Sequence, residues 1–113
     1  VRSILRAKIH KATVTQADVA YIGSITIDKD LLEKVDIWPY EKVLVVSNTS
    51  GHRLETYVIE GEEGSGVICM NGAAAHLIQT GEEVIIMAFE HSNAPVEPIA
   101  ILVDDKNRFV KRL

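Results

Sequence analysis

Short runs of β-branched and apolar residues recur along the whole chain, and turn-forming residues separate them. Residues 3–10 alternate between apolar and polar side chains, which is typical of a half-buried strand and places Lys8 and His10 together on its polar side. Similar runs predict further strands at 12–15, 19–22, 42–46, 52–60, 67–70, 83–89 and 99–103. So many short strands indicate a mainly β fold, and the simplest such fold is a small β-barrel.

Only two segments are predicted to be helices, and both are short. Residues 28–35 combine Asp28 as an N-cap with acidic residues in the first turn and an apolar stripe. A second helix is predicted after Asn71-Gly72 and is expected to end near Gly81. The basic segment 106–112 is expected to fray. A chain of 113 residues is expected to form one domain, 1–113.

Charge and hydropathy exclude several classes of partner. A net charge of −4 argues against nucleic acid, because phosphate binding requires a basic face. No apolar run approaches the ~20 residues that span a bilayer, and the first residues do not resemble a signal peptide, so we expect no membrane partner. Cys69 is the only cysteine and lies in an apolar run, which predicts a buried thiol and a reducing, cytoplasmic compartment.

Common catalytic motifs do not account for the polar residues. The four histidines, at 10, 52, 76 and 91, lack the spacing of metal ligands, and one cysteine offers no thiolate pair, so no metal site is expected. The chain has no GxxxxGK[ST] phosphate loop and no GxSxG elbow. A Ser-His-Asp triad is compatible with the composition, but no spacing supports it.

Three motifs occur instead in a fixed order with Lys8 upstream: Tyr21-x-Gly23-Ser24, Arg53-x-x-Thr56-Tyr57 and Asn71-Gly72-Ala73-Ala74-Ala75-His76. In the order and spacing of these motifs, from Arg2 to about Phe89, the chain resembles the aspartate 1-decarboxylases, which are pyruvoyl-dependent enzymes that make β-alanine. Beyond Phe89 the resemblance is expected to fade. One departure is Val46, where some members carry tryptophan, and it affects local packing rather than chemistry.

The resemblance implies a double-psi β-barrel that assembles as a homotetramer with sites at subunit interfaces. It implies α-decarboxylation of L-aspartate to β-alanine and CO₂, through a Schiff base on a pyruvoyl group derived from Ser24, for pantothenate biosynthesis. The chain would then be cleaved into 1–23 and 24–113. The expected cofactor is this covalent pyruvoyl group, with no metal and no pyridoxal phosphate. Whether maturation needs a helper protein stays open.

The chemistry of decarboxylation agrees with this interpretation. Loss of CO₂ from an α-carbon leaves a carbanion, and no unmodified side chain offers the electrophilic ketone that could accept its electrons. The Ser24 hydroxyl can provide one by attacking the Gly23 carbonyl to form an ester, which then eliminates and hydrolyses to a keto group. Glycine at position 23 suits this step, because it tolerates strained geometry.

The resemblance also assigns roles in the reaction to individual side chains. Ser24 is the pyruvoyl precursor, Gly23, Ser24 and Thr56 take part in self-processing, and Tyr57 is the proton donor. Because adjacent strand residues point to opposite faces, Thr56 and Tyr57 are expected to share one pocket only if the strand bulges or subunits share the site.

Substrate binding is assigned to a second set of residues. Arg53 and Lys8 would hold the two carboxylates of aspartate. Asn71 would position the reacting group, and backbone N–H groups of Gly72, Ala73 and Ala74 would favour negative charge at a helix start. His10 and Tyr21 are further candidates for the pocket.

Two alternatives remain open at this stage. The first is a non-catalytic double-psi barrel that acts as a binding or assembly module, with the Gly23-Ser24 bond never cleaved. The second is a pyruvoyl decarboxylase of another amino acid.

Overall fold

The computed structural model describes all residues, 1–113. It consists of nine strands and two short helices. In chain order they are β1 (Arg2–Thr13), β2 (Gln16–Asp18), β3 (Ser24–Asp28), α1 (Lys29–Val35), β4 (Lys42–Ser47), β5 (Arg53–Gly61), β6 (Ile68–Asn71), α2 (Ala74–Leu77), β7 (Glu83–Ser92), β8 (Ile99–Val103) and β9 (Phe109–Arg112).

All nine strands join one sheet in the order β2-β6-β3-β5-β4-β7-β1-β8-β9. The pairs β1/β8, β2/β6 and β3/β5 are parallel, and the remaining pairs are antiparallel. Met70 on β6 and Ile101 on β8 belong to one continuous core, although their strands lie near opposite ends of the sheet. The sheet therefore curls around a single core, and the prediction of a mainly β, small barrel with short helices is confirmed.

The start of the chain differs in detail from the prediction. β1 continues to Thr13, so residues 12 and 13 do not begin a separate strand. Lys11 has a φ of 64°, and the pairing with β7 shifts between Ile9 and Ala12. This irregularity lets the strand bend without ending. The predicted strand at 19–22 is wrong, since those residues form turns and the strand lies earlier, at β2.

The first helix is confirmed, and its cap also organises a distant loop. Asp28 Oδ1 accepts a hydrogen bond from the Asp30 N–H at 2.9 Å, as an N-cap should. The same buried carboxylate accepts from the Gly64 and Gly66 N–H groups at 2.9 and 2.8 Å. Asp28 thereby anchors the loop before β6 to the end of β3. The second helix is shorter than predicted and ends at Leu77.

The C-terminal segment is ordered, contrary to the expected fraying. Residues 109–112 form β9, which pairs antiparallel with β8. The segment is anchored by buried Asn107, whose Nδ2 donates to the carbonyls of Thr13 and Gly66 at 2.8 and 2.7 Å. These partners lie far away in sequence, so local composition does not reveal them. None of the helices is long and apolar enough to cross a membrane.

Candidate active site

Ser24 lies where an exposed loop enters the core. It is the first residue of β3 and is fully buried, whereas Gly23 before it is exposed. The Ser24 hydroxyl donates to the carbonyl oxygen of Ile22 at 3.1 Å and accepts from Asn71 Nδ2 at 2.9 Å. The side chain is therefore held from both sides, directly after the peptide bond that it is predicted to attack.

Strand pairing explains why Asn71 reaches Ser24. The antiparallel register of β3 and β6 places Ser24 opposite Asn71 and Thr26 opposite Cys69. Alternate residues share a face of a sheet, so these four side chains can form one cluster. Asn71 Nδ2 also donates to Thr26 Oγ1 at 3.0 Å, and Asn71 Oδ1 accepts from Cys69 Sγ at 3.1 Å.

Cys69 is buried, as predicted for the single thiol. Burial, and secondarily the negative charge of Asp18, raise the pKa of Cys69 above its ordinary value. The thiol therefore stays protonated near neutral pH and can act as a hydrogen-bond donor to the Asn71 amide.

A cavity of about 390 Å³ opens beside the Gly23-Ser24 bond. Its lining combines predicted site residues with neighbours from β5 and α2, namely Gly23, Ser24, Leu54, Glu55, Thr56, Tyr57, Asn71, Ala73, Ala74 and Leu77. β3 pairs with β5 only from Ile25 opposite Val58 onward. Residues 54–57 come before this paired segment of β5, so no residue of β3 pairs with them. The cavity lies beside this unpaired edge of β5, next to Gly23.

The cavity brings Thr56 and Tyr57 together in a way that was not expected. The pairing of β5 with β4 is continuous from Arg53 to Tyr57, so the strand has no bulge there. Both residues nevertheless line the same cavity within one chain. The cavity borders the edge of the strand rather than one face, and successive residues can both reach it.

Close backbone approach at the site depends on Gly72. Its φ is 66°, and a Cβ added there would lie 2.7 Å from the Cα and N atoms of Gly23. A Cβ added at Gly23 would meet nothing within 4 Å, and Gly23 is not among the glycines with positive φ. Gly23 thus shows neither a left-handed backbone nor crowding that would exclude a side chain, whereas Gly72 must lack one.

The expected cluster of backbone donors at 72–74 is smaller than predicted. The N–H of Gly72 donates to the carbonyl of Asp18 at 2.8 Å and is not directed at the cavity. Ala73 and Ala74 line the cavity, at the start of the four-residue helix α2. His76 on the same helix is exposed and does not line it.

Four other predicted residues do not line the cavity of their own chain. Lys8 and His10 lie on β1, which is separated from β5 by β4 and β7. Arg53 is exposed at the first position of β5, and Tyr21 is exposed in the turn before Gly23. The only charged residue in the lining is Glu55, which forms an ion pair with Lys42 at 3.1 Å.

His10 occupies a half-buried position close to two cations. Burial, followed by the positive charges of Lys8 and Lys11, lowers the pKa of His10. Its Nδ1 atom is buried and has no hydrogen-bond partner. Since His10 is neutral near pH 7, it does not add a further positive charge beside Lys8.

Sequence reasoning missed the second layer of this site. Thr26 and Cys69 were not assigned to the site, although each is two positions from a predicted residue on the same strand. The two-residue period of β-strands could have identified both.

The structure contains no group of three or more histidine, cysteine or acidic residues that is arranged to hold a metal ion.

Comparison with known proteins gives a consistent result. The sequence profile of the family described as "Aspartate decarboxylase" matches residues 1–110. The aspartate 1-decarboxylase of Bacillus cytotoxicus is 53% identical over 117 residues, which covers 99% of this chain and 91% of that protein. Proteins of the same description from Bacillus cereus and Bacillus thuringiensis are each 51% identical, with the same coverage. The similarity thus extends well beyond Phe89, where it was expected to fade.

Proposed function

The chain belongs to the aspartate decarboxylase family and is therefore an enzyme, and we propose that it converts L-aspartate to β-alanine and CO₂ with a pyruvoyl group made from its own Ser24. The observation that carries this proposal is the position of the Gly23-Ser24 bond. Both residues border a cavity that Thr56, Tyr57 and Asn71 also line.

A second Gly-Ser pair in the same chain shows what is particular about this one. Gly64-Ser65 lies in an exposed turn, where the Ser65 hydroxyl donates to the carbonyl of Glu62 at 2.6 Å. Neither residue of this pair lines the cavity. Ser24 instead is buried and accepts a hydrogen bond from a buried amide. Only the first pair combines a buried hydroxyl with a peptide bond that borders the cavity.

The proposed self-processing balances without an external oxidant. Ser24 Oγ bonds to the Gly23 carbonyl carbon, the Ser24 nitrogen leaves with the hydroxyl proton, and an ester results. Loss of the Cα proton of residue 24 then expels the Gly23 carboxylate, which ends the fragment 1–23. Water finally replaces the nitrogen, and ammonia leaves, so that 24–113 begins with a keto group.

The residues around the bond have defined tasks in these steps. The Asn71 N–H that donates to Ser24 Oγ stabilises negative charge as the hydroxyl loses its proton. Thr56, which lines the same cavity, would polarise the Gly23 carbonyl through its hydroxyl. Gly72 allows the two backbones to approach closely.

In turnover, the keto group at residue 24 would bind the amine of the substrate and accept the electron pair released with CO₂. Tyr57 would donate a proton to the carbon that lost its carboxylate. Asn71, which borders the same cavity, would orient the reacting centre. These tasks require no metal and no pyridoxal phosphate.

A dicarboxylate substrate requires cations that the cavity of one chain does not contain. Glu55 is the only charged residue in its lining. Lys8 and Arg53 take no part in the four ion pairs of the chain, which use Arg6, Lys29, Lys34 and Lys42. We propose that both cations act on the cavity of a neighbouring copy.

The surface near the cavity is suited to contact with a second copy. Tyr21, Ile22 and Leu77 are 55%, 73% and 43% exposed and lie next to, or in, the cavity lining. Apolar surface of this kind commonly becomes buried in oligomers. The proposed assembly is a homotetramer with four shared sites. The proposed setting is the cytoplasm, where β-alanine would enter pantothenate synthesis and a maturation factor could assist cleavage.

The choice of substrate can be tested with two acids that differ by one methylene. We expect release of β-alanine and CO₂ from L-aspartate, and turnover of L-glutamate lower by about 10-fold or more, because groups at fixed positions grip two carboxylates at one separation. The rates are compared by measuring CO₂ release from each acid under the same conditions. Equal rates, or a preference for a monocarboxylic amino acid, would contradict the assignment of aspartate.

A further inference from the structure

We propose that Cys69 and Thr26 are positioning residues for self-cleavage, because together they hold the Asn71 amide with its N–H facing Ser24. This inference rests on the proposed conversion of Ser24 and extends it to two side chains that do not touch the bond being broken. Neither of them lines the cavity, so substrate binding does not explain them.

The three contacts of Asn71 define a single orientation of its amide. Nδ2 uses its two hydrogens on Ser24 Oγ and Thr26 Oγ1, at 2.9 and 3.0 Å. Oδ1 accepts from Cys69 Sγ at 3.1 Å. A protonated thiol is a donor and only a weak acceptor, so it favours the amide oxygen over the amide nitrogen on its side. The Cys69 thiol therefore selects this orientation, and the Thr26 hydroxyl, which can donate as well as accept, completes it by accepting the second amide hydrogen.

This orientation matters because it leaves the Ser24 oxygen ready to react. Its hydrogen is directed at the carbonyl of Ile22, and one lone pair accepts from Asn71. The second lone pair remains free to attack the Gly23 carbonyl. If the amide were reversed, its oxygen would face Ser24, and no N–H would stabilise the charge that develops on the attacking oxygen.

The side chains of this hydrogen-bond network are mostly buried, so they rely on one another for their hydrogen bonds. Ser24, Cys69 and Asn71 are 0%, 7% and 3% exposed. Little of their surface is accessible to water, and an unpaired buried polar group is costly. Removing the thiol hydrogen should therefore release the preference of Asn71 for one orientation, rather than merely weaken one contact.

The test measures how fast freshly purified, uncleaved chain breaks between residues 23 and 24, by denaturing mass spectrometry over time. Cys69→Ala is expected to cleave about 10-fold more slowly than the parent, which corresponds to losing one hydrogen bond in the transition state. Cys69→Ser keeps a donor at the same position, so we expect its rate to return to within about 3-fold of the parent. Thr26→Val, which removes the acceptor without changing shape, is expected to slow cleavage by about 3- to 10-fold.

A control variant separates positioning from packing. Ile68→Val on the same strand removes one buried methylene from the opposite side and should leave the cleavage rate unchanged. The proposal is overturned if Cys69→Ala matches the parent, if Cys69→Ser is as slow as Cys69→Ala, or if Ile68→Val is equally slow. Should Cys69→Ala fail to fold, Thr26→Val decides, and a parental rate for it overturns the proposal. A parent chain that never cleaves would refute the proposed function itself.

Discussion

Ser24→Ala is expected to remain a single uncleaved chain with no decarboxylase activity. Alanine has no oxygen to attack the Gly23 carbonyl, so neither the ester nor the keto group can form. Enzymes typically accelerate their reactions by about 10⁶-fold or more, and without an electron sink that acceleration should be lost entirely. The variant loses two hydrogen bonds, to Ile22 and Asn71, which should cost about 1–3 kcal/mol of stability and leave the fold intact.

Ser65→Ala is the matched control for this experiment. It removes the hydroxyl of the other Gly-Ser pair, which lies in an exposed turn and does not line the cavity. We expect it to cleave and turn over like the parent. Cleavage is measured by denaturing mass spectrometry and activity by CO₂ release. Residual decarboxylation by uncleaved Ser24→Ala would rule out a ketone derived from this serine.

Tyr57→Phe is expected to cleave normally but to lose about 10²- to 10⁴-fold in turnover, the usual contribution of a general acid. The phenol is proposed to donate the proton that completes β-alanine, and it has no role in the attack on Gly23. Separating the two effects requires both measurements on one preparation, namely the cleaved fraction and the rate per cleaved chain.

Tyr40→Phe controls for the loss of a tyrosine hydroxyl in the same neighbourhood. The rings of Tyr40 and Tyr57 lie 6.5 Å apart, yet Tyr40 is 79% exposed and does not line the cavity. We expect parental cleavage and turnover for Tyr40→Phe. If Tyr57→Phe retained parental turnover, another group would have to deliver the proton.

Features encoded by neighbouring residues were predictable from the sequence. The N-cap of α1 depends on Asp28 and the N–H of Asp30, two positions away. The strand β1 follows from its alternation, and the hairpin of β4 and β5 from the turn residues between them. Each of these depends on a local period or a local hydrogen bond, which a linear pattern records.

Features that depend on distant contacts were not predictable. β9 is exposed along its whole length, so its composition resembles that of a free tail, and the anchoring contacts of Asn107 reach Thr13 and Gly66. The shared cavity of Thr56 and Tyr57 depends on where β3 starts to pair with β5. No pattern within β5 itself contains that information.

The motif residues show the same division within the site. Gly23, Ser24, Thr56, Tyr57, Asn71, Ala73 and Ala74 meet at one cavity, as their grouping in the sequence suggested. Lys8 and Arg53 do not reach it within the chain, because β4 and β7 lie between β1 and β5 and Arg53 lies at the exposed start of its strand. Their assignment to substrate binding thus depends on the proposed assembly.

The most direct test of the central claim is the mass of the protein without any substitution, measured under denaturing and under native conditions. We predict two fragments, 1–23 and 24–113, with a keto group in place of the amine at residue 24. Under native conditions they should stay together, because β1 pairs with both β7 and β8 and buries Ala7, Ile9 and Ala12 in the core. A single chain of 113 residues after long incubation, or an ordinary amine at residue 24 in active protein, would contradict the account.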